Sequence, residues 1–212
     1  MRLVGMLDSP YVRRVAISLT HLGVPFWHEA VSVFSTFEQF QGINPVVKAP
    51  TLVCDDGEVM MESLLILQYA EALPSCERSL WPEDPVERQH DFRAVSLALA
   101  ACEKSVQIVY ERNLRPKSAQ HEPWIDRVTG QLLAAYAALE GEVRKRPAAF
   151  LCHDRHASIT AAVAWSFTQS MLPETVPAFR HPELVAHAAR EEATPQFREF
   201  PPSGPGVPVP QP

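Results

Sequence analysis

Up to about Leu73 the chain alternates short apolar runs with stretches of helical periodicity, and from Pro82 onward the helical period dominates. Residues 2–6 form a strand candidate. Ser9-Pro10 then opens a helix, with serine as N-cap and proline at the first helical position. Val12, Val15, Ala16, Leu19 and Leu22 recur at helical spacing and Gly23 ends the run. Residues 26–31 read as a second strand. A short helix or loop follows to Phe40, and Asn44-Pro45 marks a turn. Residues 51–54, the turn Asp55-Asp56-Gly57 and residues 58–61 make a strand, turn and strand, after which Ser63 caps a helix to about Ala72. The order β-α-β-α-β-β-α is that of a thioredoxin-like domain over residues 1–75.

A linker at 76–83 leads to an all-helical domain over 84–200. Asp84-Pro85-Val86-Glu87 is an acidic capping box. The long helix behind it carries Phe92, Val95, Leu99, Cys102, Val106 and Val109 in steps of three and four, one seam for an antiparallel neighbour, and Arg115-Pro116 breaks it. A second long helix starts near Pro123, with Ile125, Val128, Leu132, Leu139 and Val143 on one face. Ser158 caps a third whose apolar residues run nearly all round, which places it at the domain centre. Ala161 stands where a capping-box acid belongs. Residues 182–192 form a last amphipathic helix. Residues 201–212 hold too much proline and glycine for a core and read as an extended or disordered tail.

Composition narrows the class. A 46% hydrophobic and 21% charged chain of 212 residues has enough apolar content for a packed core. The net charge of −6 leaves no basic footprint for nucleic acid. The four cysteines are scattered without a C-x-x-C pair, which fits reduced thiols in a cytoplasmic protein. His153-Asp154-Arg155-His156 lacks cysteine companions at metal-binding spacing, so it reads as a polar loop and no metal is expected. No apolar run approaches the ~20 residues of a membrane span, and the start lacks a signal-peptide pattern.

Three local features gain meaning from their order: Ser9 at the first helix, Ala49-Pro50 entering the third strand, and Glu62-Ser63 opening the third helix. Alone, each reads as a cap or a strand-edge proline. Together with Leu3-Val4-Gly5, the run from Ser9 to Arg14, Asn44-Pro45-Val46-Val47-Lys48-Ala49-Pro50, the run from Leu80 to Pro85, Arg115-Pro116 and His181-Pro182, they resemble the glutathione S-transferase family, with the nearest likeness to its bacterial YibF-like branch. The likeness spans nearly the whole chain apart from the tail.

The resemblance implies a thioredoxin-like glutathione-binding domain followed by the family's all-helical domain, with glutathione as co-substrate and no metal. It implies a cis Ala49-Pro50 bond whose Ala49 backbone pairs with the cysteinyl part of glutathione like an added strand. Ser63, at a helix N-terminus, would receive the γ-glutamyl carboxylate. Glu62 would meet the γ-glutamyl ammonium, and Lys48 the glycyl carboxylate. Ser9 would donate its hydroxyl to the sulfur. A free thiol has a pKa of about 8.5, and such a bond lowers it so that thiolate attacks an electrophile. Met6, Leu7, Val106 and Tyr110 are candidates for the electrophile site, and a homodimer with the first long helix near the contact is implied. The expected activity is transfer of glutathione to a small hydrophobic electrophile, as in detoxification. The alternatives are a non-catalytic glutathione-binding or regulatory protein and a glutathione-dependent disulfide or peroxide reductase. The chain departs from the family pattern at Val47, where many relatives have glycine, at Ala100, where many have aspartate, and at Asp8 beside Ser9.

Overall fold

A computed structural model of the chain describes residues 1–76 and 78–208. By internal contacts the described residues divide into two units, one of 1–80 with 194–206 and one built on 81–193.

In the first unit a four-stranded sheet has the order β2-β1-β3-β4. β1 (Arg2–Val4) pairs in parallel with β2 (Trp27–Glu29) and antiparallel with β3 (Thr51–Val53), which pairs antiparallel with β4 (Val59–Met61). Alternation sends Val4 and Val53 to one face, where Val4 is buried with Val31 and with Phe40 of α2 (Phe37–Ile43). Leu3 and Leu52, both fully buried, point to the other face, the side of α1 (Pro10–Leu22) and α3 (Ser63–Glu71). α1 ends as its sequence signals, with Gly23 left-handed at φ 68° and its N–H bonded to the Leu19 and Thr20 carbonyls. The expected α/β order therefore holds, with α2 a full short helix.

The second unit is helical. α4 (Pro85–Leu114) begins on Asp84, whose carboxylate accepts the N–H groups of Val86 and Glu87 at 3.0 and 2.9 Å. α5 (Glu122–Lys145), α6 (His156–Met171) and α7 (Pro182–Glu192) follow. α6 is the central helix, buried almost throughout from His156 to Trp165. The expected α4 seam is only half right. Val95, Cys102 and Val109 are buried, while Phe92 is about half exposed and Leu99 and Val106 are half-buried. The buried row runs instead through Ala94, Ala98, Ala101, Ser105 and Ile108. Small residues let the α6 backbone approach closely, a role that hydropathy does not report. Tyr136 of α5 closes this core, its hydroxyl donating to the Ala164 carbonyl at 2.9 Å and bonded to Thr168 at 2.6 Å.

Two capping expectations are corrected. α6 starts at His156, so Ser158 lies within its first turn, and α3 starts at Ser63 with Glu62 at the N-cap position. The N-cap residues of α5, α6 and α7 make no side-chain capping bond of their own. Buried glutamates from other helices reach these ends. Glu111 of α4 accepts the His121 N–H at the start of α5 at 3.1 Å. Glu140 of α5 accepts the N–H groups of Glu183 and Leu184 at 3.0 Å each. Glu191 of α7, fully buried, accepts the Ser158 hydroxyl at 3.1 Å and meets His153 Nδ1 at 2.8 Å; with α6 starting at His156, Ala161 is no capping-box position. A carboxylate is best placed at a helix N-terminus, where unpaired N–H groups and the helix dipole both favour it. His153, about half exposed, pairs with Glu191, while His156 is buried against the Trp81 ring.

The helical unit ends at Ala193 rather than at residue 200. α8 (Pro195–Glu199) and residues 200–206 join the first unit, because α1 holds them. Arg13, buried, donates Nε to the Phe200 carbonyl at 2.7 Å and Nη2 to that of Phe197 at 3.4 Å, and lies over the Phe197 ring. Phe26 stacks on Phe200 at 5.7 Å. Residues 201–206 form neither helix nor strand, and the last four residues of the expected tail lie outside the described residues. Among the described residues no helix is long and apolar enough to cross a membrane.

Glu140→Ala leaves two N–H groups at the start of α7 without their acceptor. It is expected to cost about 2–4 kcal/mol, with Glu140→Gln losing less because one oxygen remains. Urea unfolding of both variants measures the difference through the shift in midpoint.

Candidate functional site

At the end of β1 the chain is pinched. Gly5 has φ +143°, and a Cβ there would overlap Val12 of α1 and press on Ala49. Glycine alone fits this position, and it brings the 44–50 loop against the start of α1. The turn from Met6 to Ser9 closes with the Ser9 N–H on the Met6 carbonyl at 3.2 Å. Ser9 then caps α1, its Oγ accepting the Val12 N–H at a long 3.4 Å. That contact uses a lone pair of the oxygen and leaves the O–H hydrogen for a ligand.

The 44–50 loop is held by Asn44, a buried residue. Its Nδ2 donates to Thr51 Oγ1 at 2.8 Å, its Oδ1 accepts the Val46 N–H at 3.0 Å, and Thr51 Oγ1 donates to the Lys48 carbonyl at 2.7 Å. Val47 lies in the left-handed region at φ 52°. A β-branched residue pays about 1–2 kcal/mol there, which explains why glycine suits the same place; its packing against the Val4–Phe40 cluster is the compensation. The Ala49-Pro50 bond is cis, as expected.

Glu62 is also left-handed, at φ 78° and ψ 111°, and presents the α3 N-terminus with Ser63 as its first residue. Ser63 is buried and its Oγ accepts Arg14 Nη1 at 3.0 Å, which again leaves the hydroxyl hydrogen to donate. Arg14, itself buried, ties the second turn of α1 to the first turn of α3. Lys48 Nζ and Glu62 Oε2 pair at 2.7 Å, each about half exposed. An exposed pair of this kind is worth about 0–1 kcal/mol, so a ligand carrying both charges can replace it at little expense.

The structure therefore gathers Ser9, Lys48, Ala49, Pro50, Glu62 and Ser63 at one end of the first unit's sheet. Of the other candidates, Met6 is half-buried and Leu7 is buried, which leaves Leu7 little surface for a substrate. Val106 is half-buried and Tyr110 exposed, both on α4. Asn44, Thr51 and Arg14 were not singled out as site residues from sequence. Asn44 and Arg14 lie inside the motifs quoted above; for Asn44, between Ile43 and Pro45, the signal available was a polar residue with apolar neighbours, whereas Arg14 beside Arg13 gave none. Asp8 is turned to the C-terminal segment, with Oδ2 accepting the Gly206 N–H at 2.8 Å, and its pKa is raised by burial. Among the described residues no group of three His, Cys, Asp or Glu side chains could hold a metal ion.

A cis-proline loop facing a serine-capped helix on this sheet defines a class. Residues 3–78 match the family model described as glutathione S-transferase, N-terminal domain, so the first unit carries the N-terminal domain of that family. The chain's relatives include the uncharacterized GST-like protein YibF of Escherichia coli, 29% identical over 141 residues, 66% of this chain and 69% of that protein. A glutathione transferase family member from Pseudomonas fluorescens Pf-5, solved with bound S-(propanoic acid)-glutathione, superposes with a TM-score of 0.82 at 27% identity, covering 96% of this chain and all of that one. A glutathione S-transferase from Methylobacterium radiotolerans in complex with glutathione sulfonate gives 0.80 at 27% identity, covering 99% and 95%.

Because Arg14 depends on the Ser63 hydroxyl, Ser63→Ala is expected to destabilise the ligand-free protein by about 1–3 kcal/mol. Denaturant unfolding without glutathione checks this, and Ser63→Thr, which keeps the oxygen, should lose less.

Proposed function

We propose that the protein is a glutathione transferase that binds glutathione in the first unit and delivers its thiolate to a small hydrophobic electrophile. The observation that carries the reading is the pair of serine hydroxyls, Ser9 and Ser63. Each is fixed by accepting a protein hydrogen bond, each keeps its proton to donate, and the two are joined through α1 by Arg14. The glutathione conjugate in the Pseudomonas fluorescens relative supports the ligand class.

In this reading the γ-glutamyl carboxylate meets the Ser63 hydroxyl and the N-terminus of α3. Its ammonium takes Glu62, and the glycyl carboxylate takes Lys48, so the two ends of the tripeptide divide an ion pair already in place. The backbone of Ala49, beside Pro50, pairs with the cysteinyl residue. Ser9 donates to the sulfur, and the N-terminus of α1 adds a favourable field. The bound thiol loses its proton to solvent, the thiolate forms a C–S bond to the electrophilic carbon, and the displaced electron pair leaves with a leaving group or is protonated. Met6, Leu7, Val106 and Tyr110 are proposed as candidates for the electrophile. A homodimer in the cytoplasm completes the reading. The alanine at position 100 favours one second reading, a non-catalytic glutathione-binding protein, because it lacks the acid many relatives carry there.

Ser9→Ala is expected to lower turnover near neutral pH by about 10- to 100-fold, with recovery at alkaline pH and little change in glutathione affinity. Ser63→Ala should instead weaken glutathione binding by about 10- to 150-fold, the loss of one hydrogen bond to a charged group. A pH–rate profile of both variants with an aryl halide or enone, beside calorimetric titrations, separates the two. An unchanged profile for Ser9→Ala would mean that Ser9 is only a cap. Glutathione binding without turnover of any electrophile would favour the non-catalytic reading, and activity confined to mixed disulfides or peroxides the reductase.

A further inference from the structure

The residue before Ser9 is clasped by the far end of the chain. The Asp8 N–H donates to the Ser203 carbonyl at 3.0 Å, and Asp8 Oδ2 accepts the Gly206 N–H at 2.8 Å. Between these two bonds Gly204 lies so close that a methyl group on it would overlap the Asp8 carboxyl group. Pro201, Pro202 and Pro205 each have a fixed φ, which limits the freedom of the segment. It is anchored upstream by the bonds of Arg13 to the Phe197 and Phe200 carbonyls and by the stacking of Phe200 on Phe26. This is a built contact at a position where a free carboxylate would work against the chemistry. A negative charge beside a thiolate raises the thiol pKa.

We propose that residues 203–206 are a strap that sequesters the Asp8 carboxylate, so that the charge adjoining Ser9 is not presented to the sulfur of bound glutathione. The proposal rests on the transferase reading and deepens it, since it makes the C-terminal segment a positioning element for thiolate formation. The groups acting on the carboxyl are backbone N–H groups, those of Gly206, Ser9 and Asp8 itself, together with burial, which outweighs them and raises its pKa. Arg13, the nearest cation along α1, donates to the Phe197 and Phe200 carbonyls.

Gly204 offers a test in the full-length chain. It is exposed and Asp8 is what a Cβ there would strike, so Gly204→Val breaks the clasp with little other disturbance. Hydrogen exchange of the Gly206 amide in the ligand-free protein reads the clasp. The ultraviolet absorbance of the bound thiolate, titrated against pH, reads the sulfur. In the wild type Gly206 should be protected. In Gly204→Val that protection should be lost and the bound thiol pKa should rise by about one unit, a tenfold loss of thiolate below the pKa. In an Asp8→Asn background the same substitution should leave the thiol pKa unmoved. A Gly206 amide that exchanges freely in the wild type, or stays protected in Gly204→Val, contradicts the clasp. Lost protection with an unchanged thiol pKa, or an equal rise in the Asp8→Asn background, contradicts the charge argument. If the intact protein binds no glutathione, the transferase reading fails and takes this proposal with it, whereas binding with an unmoved pKa overturns the strap alone.

Discussion

The contact on which the rest of the site depends is the hydrogen bond from the Arg14 guanidinium to the Ser63 hydroxyl, both side chains buried. A buried guanidinium is costly unless its N–H groups find acceptors, so its partners are fixed by the fold. Arg14 thereby sets the start of α3 against the second turn of α1, and Ser9 at the α1 N-terminus takes its place from that. The preceding residue, Arg13, does the same in another direction by holding the Phe197 and Phe200 carbonyls. Two consecutive arginines on one helix thus fix the start of α3 on one side and the C-terminal segment on the other.

Local signals made much of this legible. Ser9-Pro10 and Asp84-Pro85 name their helix starts because the cap and the proline act on neighbouring backbone. The β-α-β-α-β-β-α order follows from turn residues and short apolar runs, and the cis proline entered through resemblance. What stayed hidden depends on contacts between distant residues. Ser63 and Ser158 look like caps, yet their hydroxyls serve Arg14 and Glu191. Glu111, Glu140 and Glu191 resemble solvated acids on helical faces, and only the fold shows that each meets another helix's N-terminal end. The alanine row of α4 is invisible to hydropathy because alanine scores weakly wherever it lies. The five-residue α8 is too short for periodicity to reveal, and Arg13 reads as a surface charge until its acceptors are seen.

The same logic runs through the candidate site and explains its economy of charge. Its hydroxyls accept hydrogen bonds from the protein, which leaves their own protons to donate. Lys48 and Glu62 neutralise each other at the surface, a pair that the proposed ligand, with both charges, would divide. Asp8, the one carboxylate next to Ser9 in sequence, is occupied by the backbone of residues 203–206. In the proposed reading, a site so arranged would stabilise one new negative charge, on the sulfur beside Ser9.

The direct test is to add glutathione to the intact protein at about pH 6.5, where the free thiol, with a pKa of about 8.5, is about 1% ionised. The ultraviolet absorbance of thiolate is then followed to saturation. The account expects a rising signal that levels off at one thiolate per chain and is absent with S-methylglutathione. No thiolate signal at saturating glutathione, with binding confirmed by calorimetry, would contradict it.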